Sequence, residues 1–206
     1  HEGKLRDLKM AETYLDGFEL LQNQGLIRTC GISTDRLEVL KLFNSRGTCR
    51  VVEVDYSLLN RNPDKEFFPY CEEHGIAVLA RGPLHKGLLS GKYTSKSVFT
   101  DTVRSEWYKS EQSKKKLARK LRKVENLRTS LASEEAMITA ALRFVTSHEV
   151  APVAIAGAKS PSQVAMNARA GQFTINATAG TQIMSLEERK YLIQSTKLKD
   201  PALAIA

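Results

Sequence analysis

Four short apolar segments, each followed by a polar loop that leads into a helical pattern, constrain the fold of this chain more than any other feature. They read LIRTCGIS at 26–33, VVEVDY at 51–56, IAVLARGPL at 76–84 and PVAIAGAKS at 152–160. Strands that alternate with helices predict an α/β fold with a parallel sheet or barrel. Ligands in such folds bind at the carboxyl ends of the strands. Because polar sequence stands at that end of all four units, we expect the functional site there.

Helical patterns fill the intervals between the strands. The strands are predicted at 27–32, 51–56, 76–80 and 153–156. Apolar spacing predicts helices at 11–24, from Thr34 or Asp35 to about 43, at 66–73, over the basic stretch at 109–123, around 136–145, at 161–170 and from 185 onward. Ser160 before Pro161 predicts an N-cap, and Ser185 with Glu188 predicts a capping box. No linker interrupts this series, which indicates one unit over residues 1–206.

The length of the chain limits the barrel that it can form. A chain of 206 residues with 42% apolar composition can bury a substantial core, but a complete TIM barrel typically needs about 250 residues. The sequence also begins without Met, and we therefore expect a fragment. No apolar run reaches the roughly 18 to 20 residues of a membrane span, and the first residues are too polar for a signal peptide. Cys30, Cys49 and Cys71 lack paired spacing, which predicts core thiols in a reduced, cytoplasmic protein.

The formal net charge of +8 is concentrated at 109–123, which holds eight basic residues and one acidic residue. A basic stretch can bind nucleic acid through phosphate contacts. Here, however, apolar residues recur every three or four positions, at Leu117, Leu121, Val124, Leu127 and Leu131. This spacing favours an amphipathic helix with a solvated basic face. Attraction of an anionic cofactor is an alternative, and nucleic-acid binding is disfavoured because no aromatic residues interleave the charges.

The segment AGAKSP at 156–161 lies where a strand leads into a helix. Backbone N–H groups and the positive end of the helix dipole form an anion site at such a junction. Gly157 allows close approach of the backbone, and Lys159 adds a positive charge. The segment therefore indicates a phosphate site, with a simple strand-to-helix turn as the alternative.

The longer segment GAKSPSQVAMN at 157–167 resembles the one with which aldo-keto reductases hold the 2′-phosphate and adenine of NADPH. Together the four strand segments resemble the carboxyl-terminal half of such an enzyme, a (β/α)8 TIM barrel that reduces carbonyl compounds. The resemblance implies cofactor contacts from Gly157, Lys159, Ser160, Gln163 and Asn167. Met166 stands where the family usually has an acid that binds the adenine amino group.

The first strand end is similar to the family motif Gly-Lys-Ile-Arg-x-x-Gly-Val-Ser, whose Ser and following Asn bind the nicotinamide amide. The resemblance implies this role for Ser33, whereas Thr34 replaces the Asn and offers only a hydroxyl. Glu53 occupies the place of a glutamine that contacts the same amide. A carboxylate can only accept hydrogen bonds, so Glu53 would recognise the amide NH₂ alone.

The strongest match is RGPLHKGLLSGKY at 81–93. The resemblance implies that Arg81 stacks under the nicotinamide, followed along the chain by the cofactor contacts Gly82, Pro83 and Leu84. Lys92 and Arg104 resemble residues that clamp the pyrophosphate when the long loop closes. Alternatively, Arg81 only pairs with Glu53 or Asp55.

The reaction needs a proton donor beside the hydride donor. The family uses a tyrosine helped by lysine and aspartate, and a histidine that orients the carbonyl. The resemblance assigns that histidine to His1, which precedes Glu2 as in the family's Leu-Leu-His-Glu; a chain boundary that happens to fall on histidine is the alternative. The other three groups belong to the family's amino-terminal half. His74, His85 and His148 are interpreted as non-catalytic, and no metal site is expected.

These observations predict part of an NADPH-dependent oxidoreductase that acts on aldehydes or ketones, with NADP(H) as cofactor. The alternative is a catalytically silent subunit that binds a nicotinamide cofactor or regulates a partner. We expect a small carbonyl substrate and neither nucleic acid nor membrane as partner. Because a half-barrel has open sheet edges, we also expect self-association or pairing with the amino-terminal half.

Overall fold

The computed structural model describes residues 5, 7–131, 133–171 and 186–195. Within them lie four strands, which are β1 (Cys30–Ser33), β2 (Cys49–Asp55), β3 (Ala77–Arg81) and β4 (Val153–Ile155). The helices in the same ranges are α1 (Leu8–Asn23), α2 (Leu37–Phe43), α3 (Phe67–Glu73), α4 (Glu111–Ser130), α5 (Glu134–Thr146), α6 (Pro161–Ala170) and α7 (Leu186–Ser195). Short 3₁₀ segments lie at Asn62–Asp64, His85–Ser90 and Ser105–Tyr108.

The four strands form one parallel sheet in the order β1-β2-β3-β4. The predicted alternation of parallel strands and helices is therefore confirmed. Sheet order follows chain order, and right-handed crossovers between successive parallel strands place their helices on the same face. The sheet thus has one face toward the helices and one away from them.

Burial alternates along the strands as this arrangement requires. Val52, Val54, Val78 and Ala80 are at most 2% exposed and belong to the apolar core with α2, α3 and α5. The residues between them on β2 and β3 are only half-buried, and on β4 Val153 is 60% exposed. Strands β1 and β4 are the outer strands of the sheet. Among the described residues, the sheet is therefore open on one face and at both edges.

A long-range contact ties α7 to this core. Arg189 donates to the Tyr56 hydroxyl at 2.6 Å and to the carbonyl oxygen of Phe144. Its guanidinium lies 4.1 Å from the centre of the Phe144 ring. Tyr56 is fully buried at the end of β2 and packs against Phe68 and Phe144.

Two predicted helix starts differ from the structure. Helix α1 begins before residue 11, because the Asp7 carboxylate accepts a hydrogen bond from the Met10 N–H and caps the helix. Helix α2 is preceded by Arg36 rather than by Thr34 or Asp35. The Thr34 hydroxyl accepts from the Arg36 N–H at 3.0 Å, and the Asp35 carboxylate accepts from the Asp55 N–H at 2.8 Å, so neither side chain caps α2.

Other helix predictions agree closely. Helix α6 begins at Pro161 after the N-cap Ser160, whose side chain accepts from the Gln163 N–H. In α4 the buried side chains are Leu117, Leu121, Val124 and Leu127, while Leu131 follows the helix and is half-buried. The amphipathic interpretation of the basic stretch is thus confirmed. The capping box at Ser185 lies outside the described residues.

The three cysteines are buried free thiols, as predicted for core residues. Burial raises the pKa of Cys49 to about 11 and that of Cys71 to about 12, which keeps both thiols protonated at neutral pH. None of the helices in the described ranges is long and apolar enough to cross a membrane.

Candidate functional site

Strand register places several predicted site residues side by side at the carboxyl edge of the sheet. Ser33 on β1 lies opposite Glu53 on β2. Arg81 on β3 lies opposite Ile155 on β4, two residues before Gly157. This edge therefore gathers residues that the sequence separates by more than 120 positions.

Arg81 is held by an ion pair with Asp35. The alternative prediction was that Arg81 pairs with Glu53 or Asp55. That prediction is wrong, because the carboxylate that pairs with Arg81 belongs to Asp35. Asp55 is Arg81's register partner, but one of its carboxylate oxygens accepts from the Asn60 side chain at 2.9 Å. Asp35 lies two residues after the end of β1, and its carboxylate contacts Arg81 at the end of β3. Both side chains are partly exposed, at 38% for Arg81 and 49% for Asp35.

The chain after β3 passes close to Asp55. Gly82 has a φ of 64°, and a Cβ at this position would lie 2.8 Å from Asp55 Oδ1. Pro83 is buried, and Leu84 is half-buried against the apolar core. Glycine adopts this backbone conformation without strain, and any other residue would also displace the Asp55 carboxylate. At Gly82 the carboxyl edge of the sheet therefore has backbone without a side chain next to the Asp55 carboxylate.

The turn between β4 and α6 contains the predicted phosphate-binding residues. Gln163 Oε1 accepts from the Lys159 N–H at 2.7 Å, and Asn167 donates to the Gly157 carbonyl oxygen at 3.5 Å. Gly157 and Lys159 are exposed, and Ser160 caps the helix. Lys159 forms no ion pair within the described ranges. Its charge therefore adds to the positive end of the α6 dipole, and an anion fits this turn.

Lys92 and Arg104 are engaged elsewhere. Lys92 Nζ lies 3.7 Å from a carboxylate oxygen of Glu134 at the start of α5. The Arg104 guanidinium donates to Asp101 at 2.7 Å and to the Tyr93 hydroxyl, and it stacks on the rings of Tyr93 and Phe99. Only 17% of the Arg104 side chain is exposed. Neither cation contacts the strand edge in this conformation of the loop.

Thr34 and His1 complete the predicted set. Thr34 is buried, and its hydroxyl is engaged with the Arg36 backbone. His1 lies outside the described residues. No group of three or more His, Cys, Asp or Glu side chains in the described part of the chain is placed to hold a metal ion.

One buried polar cluster near this edge was not predicted. His85 Nδ1 lies 3.1 Å from Ser57 Oγ, and His85 Nε2 lies 2.7 Å from Lys120 Nζ. Burial and the nearby Lys120 lower the pKa of His85 to about 3, so the ring is neutral and accepts the lysine's hydrogen bond. His85 and Lys86 both have positive φ, at 49° and 55°. No sequence pattern signals this cluster, because its members come from three separate segments.

Comparison with known proteins identifies the family of the chain. The sequence profile of the Aldo/keto reductase family matches residues 6–188. This chain belongs to that family. The aldo-keto reductases are oxidoreductases that typically bind a nicotinamide cofactor, and this agrees with the anion-compatible turn before α6.

Individual relatives agree with this assignment. An uncharacterized oxidoreductase of Bacillus subtilis is 29% identical over 200 residues, which cover 96% of this chain and 58% of the relative. The apo form of an aldo-keto reductase from Bacillus halodurans superposes with a TM-score of 0.70 at 29% identity, over 96% of this chain and 60% of that one. An NADH-specific methylglyoxal reductase of Escherichia coli is 31% identical over 74 residues, covering 36% of this chain and 23% of the relative. The chain thus spans less than two thirds of the length of these aldo-keto reductase relatives.

Proposed function

We propose that this chain is the cofactor-binding, carboxyl-terminal half of an NADPH-dependent oxidoreductase that reduces aldehydes or ketones. The observation that supports this most directly is the turn before α6. There an exposed Lys159 lies beside the positive end of the ten-residue helix α6. A 2′-phosphate is the cofactor group that such a turn binds best, because charge-assisted hydrogen bonds are stronger than neutral ones.

The adenosine end of the cofactor would lie along this turn. Lys159 and the helix N–H groups would bind the 2′-phosphate, and Gln163 and Asn167 would contact the adenosine. In the structure both amides bond to the backbone of the turn, so they hold its shape before any ligand arrives. Because the Met166 thioether is a much weaker acceptor for the adenine amino group than a carboxylate, the affinity would depend mainly on the phosphate.

The nicotinamide end would lie at the edge formed by β1, β2 and β3. The bound cofactor supplies the hydride, and the chain's residues bind and orient the ring. Ser33 would donate to the amide, and Glu53 would accept from it. Arg81 would stack with the ring, and the Asp35 carboxylate offsets part of its charge. The bare backbone at Gly82 allows close approach at this edge.

The open sheet supports the half-barrel part of the proposal. One face and both outer strands lack partners among the described residues, and the chain spans just over half of its relatives. We propose that residues 1–206 form one domain, in which His1 orients the substrate carbonyl and Lys92 and Arg104 close over the pyrophosphate. The proton donor would come from the amino-terminal half of the barrel, which would pair with β1 and β4.

A catalytically silent cofactor-binding subunit is the second candidate. Thr34, Glu53, Arg81 and Met166 all replace residues through which the family usually contacts the cofactor. Several such replacements would be expected together in a protein that no longer has to transfer hydride efficiently. This candidate keeps the same cofactor site but expects no turnover.

Two measurements test these proposals. The first is the affinity of the chain for NADPH and NADH, measured by nucleotide fluorescence with and without an added amino-terminal half. The second is NADPH consumption by the paired halves with a generic aldehyde. Binding with turnover supports the enzyme, and binding without turnover supports the silent subunit. A paired species that binds neither nucleotide would contradict both.

A further inference from the structure

A groove of about 920 Å³ lies between the loop at 94–98 and helix α4. It is not lined by any residue of the candidate cofactor site. Its apolar surface comes from Val98, Tyr108, Leu117, Ala118 and Leu121. The size is within the range of about 300–1,000 Å³ found for small-molecule sites.

The loop that forms one wall of the groove is well fixed. Ser97 donates its N–H to the Thr94 carbonyl oxygen at 3.0 Å, and its hydroxyl accepts from the Thr94 N–H at 2.9 Å. The Tyr108 hydroxyl donates to the Ser97 carbonyl oxygen at 2.9 Å. The opposite wall is α4, where Leu117 and Leu121 are also part of the apolar core. The concavity is therefore preformed, which lowers the entropic cost of binding a ligand.

The charges around the groove are predominantly positive. Four cations line it, and Glu125 is the one carboxylate among the lining residues. Arg128 pairs with Glu125 at 2.7 Å, and Lys114 pairs with Glu111 at 2.6 Å. Lys96 and Arg122 have no acidic partner in the part of the chain that the structure describes.

We propose that this groove binds an amphipathic carboxylate of the fatty-acid type. Its alkyl chain would cover Leu117, Ala118 and Leu121, and its carboxylate would meet Arg122 and Lys96. An apolar floor alone would suit any hydrophobic molecule, but two cations without an acidic partner among the described residues, Arg122 on α4 and Lys96 on the facing loop, select for an anionic end. The aliphatic stems of both side chains also extend the apolar surface toward their charges.

The extent of the apolar lining favours this ligand over an acidic helix from a partner protein. On α4 that lining is limited to Leu117, Ala118 and Leu121. A helix of three turns is about 16 Å long and would need a longer apolar strip, whereas a flexible alkyl chain can fold against a compact one.

Dodecanoate, used below its micellar concentration, is a suitable probe, and its binding to the full 206-residue chain can be followed by calorimetry. We expect Arg122→Glu to weaken binding at least tenfold. Arg119→Glu is the matched control, since Arg119 is exposed on the same helix and does not line the groove. That variant should leave the affinity within about twofold. Ala118→Trp should weaken binding at least tenfold by placing its ring over the apolar floor, and circular dichroism checks that each variant is folded.

Dodecanol and dodecyltrimethylammonium test the role of the charge. We expect the alcohol to bind at least tenfold more weakly than dodecanoate and the cation not to bind. Equal affinities for dodecanoate and dodecanol, equal effects of the two arginine variants, or no binding of dodecanoate would each overturn the proposal. Binding of an acidic amphipathic peptide in place of dodecanoate would assign the groove to a protein partner. The measurements need no nicotinamide nucleotide, so their outcome is independent of the proposed oxidoreductase function.

Discussion

Arg81 and Asp35 form an ion pair that joins the end of β3 to the residues after β1, across the intervening strand β2. Asp35 also accepts from the Asp55 N–H at 2.8 Å, so one carboxylate connects three neighbouring strands at their carboxyl ends. The pair thereby fixes the position of the guanidinium proposed to stack with the nicotinamide and places a negative charge beside it.

Two substitutions of Asp35 should separate its effect on the position of Arg81 from its effect on the charge near the nicotinamide. Asp35→Asn keeps an acceptor for the Asp55 N–H but leaves Arg81 uncompensated. We expect the affinity for NADP⁺ to fall about three- to fivefold relative to NADPH, since a unit charge about 5 Å from the oxidised ring costs roughly 0.8 kcal/mol in water. Asp35→Ala should also lower the free energy of unfolding by about 1 kcal/mol. Asp16→Asn, which breaks the exposed ion pair with Arg46, is the control. An unchanged NADP⁺ to NADPH ratio in Asp35→Asn would contradict this role.

Gly82→Ala should destabilise the protein through two causes. The positive φ costs an alanine about 1–2 kcal/mol, and the new Cβ would lie 2.8 Å from Asp55 Oδ1. Gly47→Ala isolates the first cause, because Gly47 has a φ of 68° with no atom within 4 Å of the Cβ position. Urea unfolding should show a loss in Gly82→Ala that exceeds the loss in Gly47→Ala by about 0.5–1.5 kcal/mol, because a shifted Asp55 carboxylate strains its hydrogen bond to Asn60. Similar losses would mean that the edge relaxes around Asp55.

Lys159→Ala should change cofactor selectivity rather than cofactor binding in general. A charge-assisted hydrogen bond to a phosphate is worth roughly 1.5–3 kcal/mol. We therefore expect NADPH affinity to fall about ten- to a hundredfold, while NADH affinity stays the same. Arg169→Ala, near the other end of α6, should leave both affinities unchanged. An NADPH to NADH ratio that resists Lys159→Ala would refute the assignment of the 2′-phosphate to this turn.

The buried His85 should make the protein less stable in mild acid. Its folded pKa of about 3 lies below the unfolded value of 6.5, so on acidification the unfolded chain takes up a proton before the folded chain does. Stability should therefore fall as the pH drops below about 6.5, with a slope approaching 1.4 kcal/mol per pH unit from this group. His85→Gln should remove that component between pH 6.5 and pH 5, as measured by urea unfolding. His74→Gln, at an exposed position, is the control. Parallel pH profiles for wild type and His85→Gln would contradict the prediction.

The open edge at β4 should cause self-association of the chain expressed alone. Val153 and Ile155 are 60% and 44% exposed on this outer strand. Ile155→Lys should reduce association, because a charged edge disfavours strand pairing. Val164→Lys, at an exposed position on α6, should not reduce it. Light scattering with and without the amino-terminal half distinguishes the outcomes, and a stable monomer of the unaltered chain at all concentrations would refute the prediction.

The sequence specified those parts of the fold that depend on local patterns. The pair Ser160 and Pro161 placed the start of α6 correctly, because a capping hydroxyl and a proline act within a single turn. The spacing of Leu117, Leu121, Val124 and Leu127 identified the buried face of α4 despite its basic composition. Both signals lie within a few residues of the feature that they predict.

Partners from distant segments could not be predicted in this way. Arg81 pairs with Asp35 rather than with a carboxylate on the adjacent strand, because Asn60 already engages Asp55. Lys120 meets His85 only after α4 packs against the loop that follows β3. Such choices depend on competition between partners that only the folded chain brings together.

The order of the strands has a consequence for how the chain folds. Each strand pairs with the one made just before it, so successive βα units can dock onto the growing sheet as they emerge from the ribosome. The bond between Arg189 and Tyr56 joins residues 133 positions apart and can form only when α7 has been synthesised. Contacts of such sequence separation form late, because closing a long loop costs entropy before the contact repays it. We therefore expect the sheet to assemble during translation and the hydrogen bond from Arg189 to the Tyr56 hydroxyl to form last.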